Sequence, residues 1–249
     1  MEQRVWRRRY SAFVGLPCPH CGTGKLKTKA DTLHRQETAY SRYQRSEEGG
    51  SYHSLEERFS CLLVCDKTFC KEVVAIGGFI DIDEEYGHDQ DGEPTIHETT
   101  YFCPKSMYPA PRVVAVSKKL SAECQKDLIS SFGLLWADYG ACANRLRSFV
   151  EHFLNQLNVS RVSEKGKGLN LSQRITLFGK TYPNHALSFD ALREVGNRGS
   201  HAGVADFDDL IKCYQLLRRP ITELIDKPHE EDALIAQRLI DKNKRKPPP

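Results

Sequence analysis

Two short-spaced groups of cysteines constrain this chain more than any other feature. Pro17-Cys18-Pro19-His20-Cys21-Gly22 carries one Cys-x2-Cys step, and Cys61, Cys65 and Cys70 follow after a polar stretch. Zinc takes four soft, deprotonated ligands in a tetrahedron, and two short-spaced pairs on separate loops supply them with little strain. Cys18 and Cys21 form one pair, with Gly22 permitting the tight turn that points both sulfurs inward. Cys65 and Cys70 are expected to form the other, because Leu62-Leu63-Val64 enters as a strand and Val73-Val74-Ala75-Ile76 leaves as one. Cys61 with Cys65 is the competing pair. His20 is an alternative ligand, awkwardly placed between two cysteines. Unrelated buried thiols would match the count but not the paired spacing. The expectation is a β-rich zinc ribbon whose zinc is structural, since four protein ligands leave no position for water. Such a site stabilises a unit with little core of its own.

The remaining composition narrows the class. Nine cysteines in 249 residues, with no convincing signal peptide, argue for a reducing, cytoplasmic compartment and against a disulfide framework. No apolar run approaches the ~18 residues of a membrane span. A net charge of +3 and periodic apolar blocks argue against wholesale disorder. Arg4, Arg7, Arg8 and Arg9 crowd one end, and Lys242, Lys244, Arg245 and Lys246 the other. Asp81 to Glu98 is acidic, without Lys or Arg, and lacks the full calcium-loop spacing despite Asp89, Asp91 and Gly92; it reads as a solvated loop. Lys27 to Ser54 reads as a polar insertion in which Tyr40, Tyr43 and Tyr52 interleave with Arg35, Arg42 and Arg45. That mixture can stack bases and bind phosphates, or simply form an exposed hairpin. Prolines 104, 109 and 111 exclude a helix from Thr99 to Val116, which reads as an extended linker ending in a strand at Arg112–Val116.

From Ser121 the apolar period changes to three and four: Leu128, Phe132, Leu135, Tyr139, Cys142, Leu146, Phe149, Phe153 and Leu157. Ser121 is the expected N-cap, and Asp138-Tyr139-Gly140 is a potential break. Helices are also expected near 171–178, 189–197 and 206–217, with 221–225 and 233–240 finishing the bundle. The fold class is therefore α+β: residues 1–116 a zinc-ribbon domain with its insertion and linker, residues 117–249 a helical domain with a basic, proline-ending tail.

Two groups of polar residues on these helices are candidates for chemistry. Arg145 and Arg147 lie beside the apolar stripe, with Arg147 and Glu151 able to pair at i,i+4. Arg193, Asn197, Arg198 and His201 gather in Leu192-Arg-Glu-Val-Gly-Asn-Arg-Gly-Ser-His201, where His201 is either a structural partner near a helix end or a phosphate-site residue.

Phe132-Gly-Leu-Leu-Trp136, Ala141-Cys-Ala-Asn-Arg-Leu-Arg147 with Glu151, Leu171–Ile175 and Leu192–His201 resemble domain-of-unknown-function family 4145. That family is associated with restriction and other phage-defence systems and is similar to the HEPN superfamily. The resemblance implies a HEPN-like bundle of four or five helices, often a homodimer. In active HEPN ribonucleases four to six residues separate an Arg from a following His, usually with a polar residue after the Arg. The His assists attack of an RNA 2′-hydroxyl on the adjacent phosphate without a metal, and the Arg stabilises the developing charge. Arg193 has seven residues before His201 and Arg198 has two, while Gly196 stands where the Arg should be.

The expected function is therefore a zinc-ribbon and HEPN-like module that binds nucleic acid, RNA or DNA, or a defence-system protein. Arg145 and Arg147 are its nucleic-acid contacts. The alternative is a metal-independent endoribonuclease using His201 with Arg193 or Arg198, and Asn197 nearby. Walker-type loops, nucleotide-binding glycine patterns and nucleophile elbows are absent from the sequence.

Overall fold

The computed structural model describes residues 5–47, 55–88, 93–202 and 205–244, with 200–202 described by backbone alone. Arg4, Tyr52, Asp89, Asp91, Gly92, Arg245, Lys246 and the His201 side chain lie outside what is described.

The first half is a six-stranded antiparallel sheet curled into a half-barrel. Its centre is β4 (Glu57–Cys65), where Phe59, Cys61, Leu63 and Cys65 point into the core and Arg58 and Ser60 point out. This is the period of two that a half-buried strand imposes. β2 (Lys25–Thr28) and β3 (His34–Glu37) pair with one edge of β4, and β5 (Val73–His88) pairs with the other. β1 (Val14–Pro17) extends the sheet beyond β2, and β6 (Pro94–Tyr108) extends it beyond β5.

Several sequence expectations change here. The acidic stretch is not a loop along its described length: Asp83 pairs with Thr99 and Glu85 with His97 in the β5–β6 ladder. Its charge is partly compensated by Arg9, whose Nη1 reaches Asp83 at 2.7 Å and Asp81 at 3.2 Å, with the guanidinium 4.3 Å from the Tyr101 ring centre. Thr99–Tyr108 belongs to β6 rather than to a linker, and Pro104 is tolerated because it sits at the bulge beside Gly77 and Gly78. Arg112–Val116 forms no strand, although Val113 and Val114 are buried. The polar insertion contains β3 and a helix, α1 (Ala39–Glu47). On it Tyr40 and Tyr43 are exposed, but Arg35 pairs with Glu57 and Arg45 with Glu37 at 2.5 Å.

The second half is helical. Ser121 caps α2 (Ala122–Ala137) by accepting from the Cys124 N–H at 3.2 Å. Asp138 settles the break left open by periodicity: its extended backbone ends α2, and its side chain caps α3 (Tyr139–Gln156) through the Ala141 N–H at 2.8 Å. Asn170 and Gln173 form a capping box on α4 (Leu171–Thr181). α5 (Pro183–Ala202) runs through Gly196 and Gly199 instead of ending near Asn197. α6 (Phe207–Pro220) continues into a π-helical turn (Ile221–Asp226), which stops at Lys227 with φ 49°. α7 (Pro228–Lys244) buries no residue, so it does not finish the bundle. Lys119 ties it to the body through Glu231.

The buried cluster is continuous across both halves. Trp6 packs beside Trp136 with ring centres 6.0 Å apart, and Arg8 forms an ion pair with Asp206. Within the bundle the Phe189 ring lies 5.0 Å from Phe178 and 5.3 Å from Phe153.

Candidate functional site

Four sulfurs converge where β1, β2, β4 and β5 meet. Cys18 and Cys21 lie in the turn after β1, Cys65 ends β4, and Cys70 lies in the turn before β5. The Cys18 N–H donates to the Gly24 carbonyl at 2.9 Å, and Gly22 adopts φ +69°, the left-handed conformation that favours glycine. The second turn closes similarly, with the Cys65 N–H on the Glu72 carbonyl at 2.9 Å and Lys71 at φ 54°.

All four Sγ atoms lie within 4.8 Å of one another, so the group could hold a metal ion. The Cys18–Cys70 and Cys21–Cys65 separations are 3.7 and 3.8 Å. A tetrahedron with metal–sulfur bonds of about 2.3 Å has edges of about 3.8 Å, so the donor set and its spacing fit zinc. The Gly24 amide donates to Cys21 at 3.3 Å and is the main reason its thiol is lowered to about 6. Burial pushes the Cys18 thiol up to about 12. A bound divalent cation would favour the thiolate at all four positions. Cys61 lies outside this group, buried among apolar side chains that raise its thiol to about 11. His20 also lies outside it; its Nδ1 is 3.5 Å from the Cys70 sulfur.

The helical half holds a second arrangement. Asp127 of α2 is buried, with only 4% of its side chain exposed, and both carboxylate oxygens are engaged from α3. Arg145 Nη1 donates to Oδ1 at 3.0 Å, and His152 Nδ1 lies 2.7 Å from Oδ2. Arg145 and His152 are seven residues apart, nearly two full turns, so they share one face of α3. An ionised carboxylate only accepts, so Asp127 keeps the imidazole proton on Nδ1 and leaves Nε2 without a partner among the described residues. The imidazole is 37% exposed and Arg145 is 42% exposed, so both reach solvent while anchored from below.

Sequence reasoning missed His152. The signal was present: Arg147-Ser-Phe-Val-Glu-His152 has four intervening residues and a polar residue after the Arg. Arg145 stands six intervening residues before the same His.

The remaining sequence candidates are placed differently. Arg147 pairs with Glu151 at 3.3 Å, and its buried Nε has no hydrogen-bond partner. Arg193 binds Asp190 at 2.9 Å and Glu194 at 2.5 Å on its own helix. Arg198 is exposed and Asn197 half-buried. Gly196 occupies the position the HEPN spacing would give to Arg because α5 packs tightly on α3 there. A Cβ on Gly196 would lie 2.6 Å from the Arg147 Cβ, and one on Gly199 would lie 2.8 Å from the Ala143 Cβ.

Residues 130–242 match the family model described as Domain of unknown function (DUF4145). Residues 9–107 match a second model, Domain of unknown function (DUF8608). The DUF8608 match ends one residue before the end of β6, and the DUF4145 match begins within α2. No curated protein and no solved structure matches the chain. No helix among the described residues is long and apolar enough to cross a membrane.

Proposed function

We propose that this protein is a zinc-ribbon and HEPN-like module that binds nucleic acid, in the first instance RNA, through Arg145 and His152, and that it serves bacterial defence. The observation that carries the reading is the buried Asp127 carboxylate, which fixes a guanidinium and an imidazole side by side on an exposed face of α3. Side chains held by a buried acid lose little further side-chain entropy on meeting a phosphate, which favours them over mobile surface lysines. The four-cysteine geometry supports zinc as the ion that holds the sheet together. The family match spans Arg145, Arg147, His152 and the 193–201 segment, and the association of the resembling family with restriction systems supports the defence setting.

Fluorescence anisotropy of the full chain with single-stranded and hairpin RNA tests this. Each of Arg145→Gln and His152→Ala should weaken binding about tenfold, the scale of one charge-assisted contact. Undiminished binding in both variants rejects the assignment. The HEPN resemblance also supports a two-fold dimer, and sedimentation at micromolar concentration reads that directly.

One observation favours a second reading, a metal-independent endoribonuclease: Asp127 holds His152 in the orientation a general base needs, with Nε2 available to a 2′-hydroxyl. In that reading His152 takes the hydroxyl proton, the 2′-oxygen attacks the adjacent phosphorus, the 5′-oxygen leaves, and Arg145 or Arg147 stabilises the phosphorane charge. RNA incubated without added divalent metal should yield 2′,3′-cyclic phosphate ends, lost in His152→Ala. Cleavage that persists in His152→Ala but disappears in His201→Ala would return the role to His201.

A further inference from the structure

A cavity of about 610 Å³ opens where the first cysteine turn, the segment after β6 and the end of α6 come together. It lies within the ~300–1,000 Å³ range of small-ligand sites. Three cations from three different elements line it: Lys25 at the start of β2, Arg112 after β6, and Arg218 in the last turn of α6. No acidic residue lines it.

These three cations form no ion pair with any described residue, whereas Arg8 and Arg219, close to them in the chain segments that line the cavity, do. The neighbouring acids are already engaged. Asp66 accepts the Lys25 backbone N–H at 2.9 Å, not its ammonium. Glu223, one turn beyond Arg218, gives one oxygen to Arg219 at 2.7 Å and the other to His185 at 3.1 Å. A concave site lined by one sign of charge focuses its field on an ion of the opposite sign.

The other walls suit a ligand that also has an apolar, hydrogen-bonding part. Val113–Val116 lines the cavity, and its backbone N–H and C=O groups make no hydrogen bond to any described residue. Backbone groups near buried side chains ordinarily find partners. Trp6 contributes an aromatic wall, and its buried indole N–H also lacks an acceptor.

We propose that this cavity binds a phosphate-bearing ligand of nucleotide size, its phosphate held by Lys25, Arg112 and Arg218 and its base set against Trp6 and the free backbone of Val113–Val116. The source of that chemistry is either a free mononucleotide or the phosphorylated end of a nucleic-acid strand. The site shares no residue with the Arg145–His152 face.

The test uses the full-length, zinc-loaded protein in titration calorimetry. The probes are ATP, AMP, inorganic phosphate, and a short oligoribonucleotide with either a 5′-phosphate or a 5′-hydroxyl. Binding of at least one phosphate-bearing probe is expected, weakened tenfold or more in Arg112→Gln/Arg218→Gln and in Lys25→Gln. Melting and zinc content should be unchanged, because these side chains are exposed and unpaired. A mononucleotide that binds while the 5′-phosphate gives the oligonucleotide no advantage over the 5′-hydroxyl supports the free ligand. Tighter binding of the 5′-phosphate oligonucleotide than of the 5′-hydroxyl one, lost in Arg112→Gln/Arg218→Gln, supports the strand end. Arg145→Gln should bind ATP, AMP and inorganic phosphate normally, which separates this site from the proposed RNA face. The inference is overturned if ATP, AMP and inorganic phosphate all fail to bind and the 5′-phosphate adds nothing to oligonucleotide binding, or if either effect survives removal of the arginines. It is equally overturned if the variants lose zinc along with binding, because the cations would then serve only to offset the thiolate charge.

Discussion

Helices α2–α6 bury Phe132, Phe149, Phe153, Phe178, Phe189 and Phe207 almost completely, whereas the half built on β1–β6 buries only Phe13 and Phe59 among its phenylalanines and gathers four cysteines at one end. Each aromatic removes a large apolar surface from water, so the helices supply their own cohesion. The sheet has less apolar payload and a long, partly exposed β5–β6 hairpin. Its knuckle end carries the four cysteines that could hold a metal ion, and an ion there would cross-link strands that burial alone would hold weakly. The continuous cluster through Trp6 and Trp136 then decides whether the two halves come apart separately.

The largest expected effect is loss of the metal. Zinc sites in small domains contribute on the order of 10 kcal/mol to folding, so Cys65→Ser or chelation should abolish zinc binding and open β1, β2 and the end of β4. Hydrogen exchange should show those strands losing protection while α3 and α5 keep theirs. Simultaneous loss in both regions would mean that the shared cluster makes the halves one cooperative unit.

Phe189→Ala strikes the other region and should cost about 3–5 kcal/mol in chemical denaturation, the usual range for a buried phenylalanine. Followed by zinc release as well as helical signal, it asks the converse question. Zinc retained after the helices melt would show that the sheet stands alone.

Gly196→Ala should cost about 1–3 kcal/mol by overpacking, because its new Cβ would meet Arg147 at 2.6 Å on a seam between two rigid helices. A thermal melt reads this directly, and an unchanged melting temperature would show that α5 can shift off α3 freely.

The smallest effect concerns the ion pair between the halves. The hydrogen bond from Arg8 is the main reason the Asp206 carboxyl is held below its ordinary 3.8. The unfolded chain therefore takes up that proton first, so the pair contributes above about pH 4 and its contribution disappears as pH falls through the lower folded value. Both side chains are about half exposed, at 50% and 49%, which limits the contribution to below about 1 kcal/mol. Arg8→Gln, which leaves the Asp206 cap of α6 in place, should show a correspondingly small loss at pH 7 and none at pH 2.

What could be read from the residues was whatever local chemistry specifies. The apolar run Leu62–Val64 marked the end of β4, the three-and-four apolar period marked α2 and α3, and Ser121 announced its own cap. The α+β class and the candidate metal group of Cys18, Cys21, Cys65 and Cys70 followed from spacing, because short loops bring their own cysteines together wherever the rest of the chain goes. The β5–β6 hairpin was not legible, since its strands carry acids whose charge is met by Arg9, a residue more than seventy positions away. Nor was the fate of α7: its apolar residues look like a bundle face, yet the structure buries none of them. His152 had the spacing of a site residue, but only the packing of α2 on α3 gives it Asp127 as an anchor. Gly196 looked like a missing arginine, and the contact between α5 and α3 gives it a steric reason. Sequence pattern determines which elements form and which faces are apolar, because those depend on neighbours within a turn or a strand. Which charges meet, and which remain free to meet a ligand, depends on distant segments packing together, and that only the tertiary structure decides.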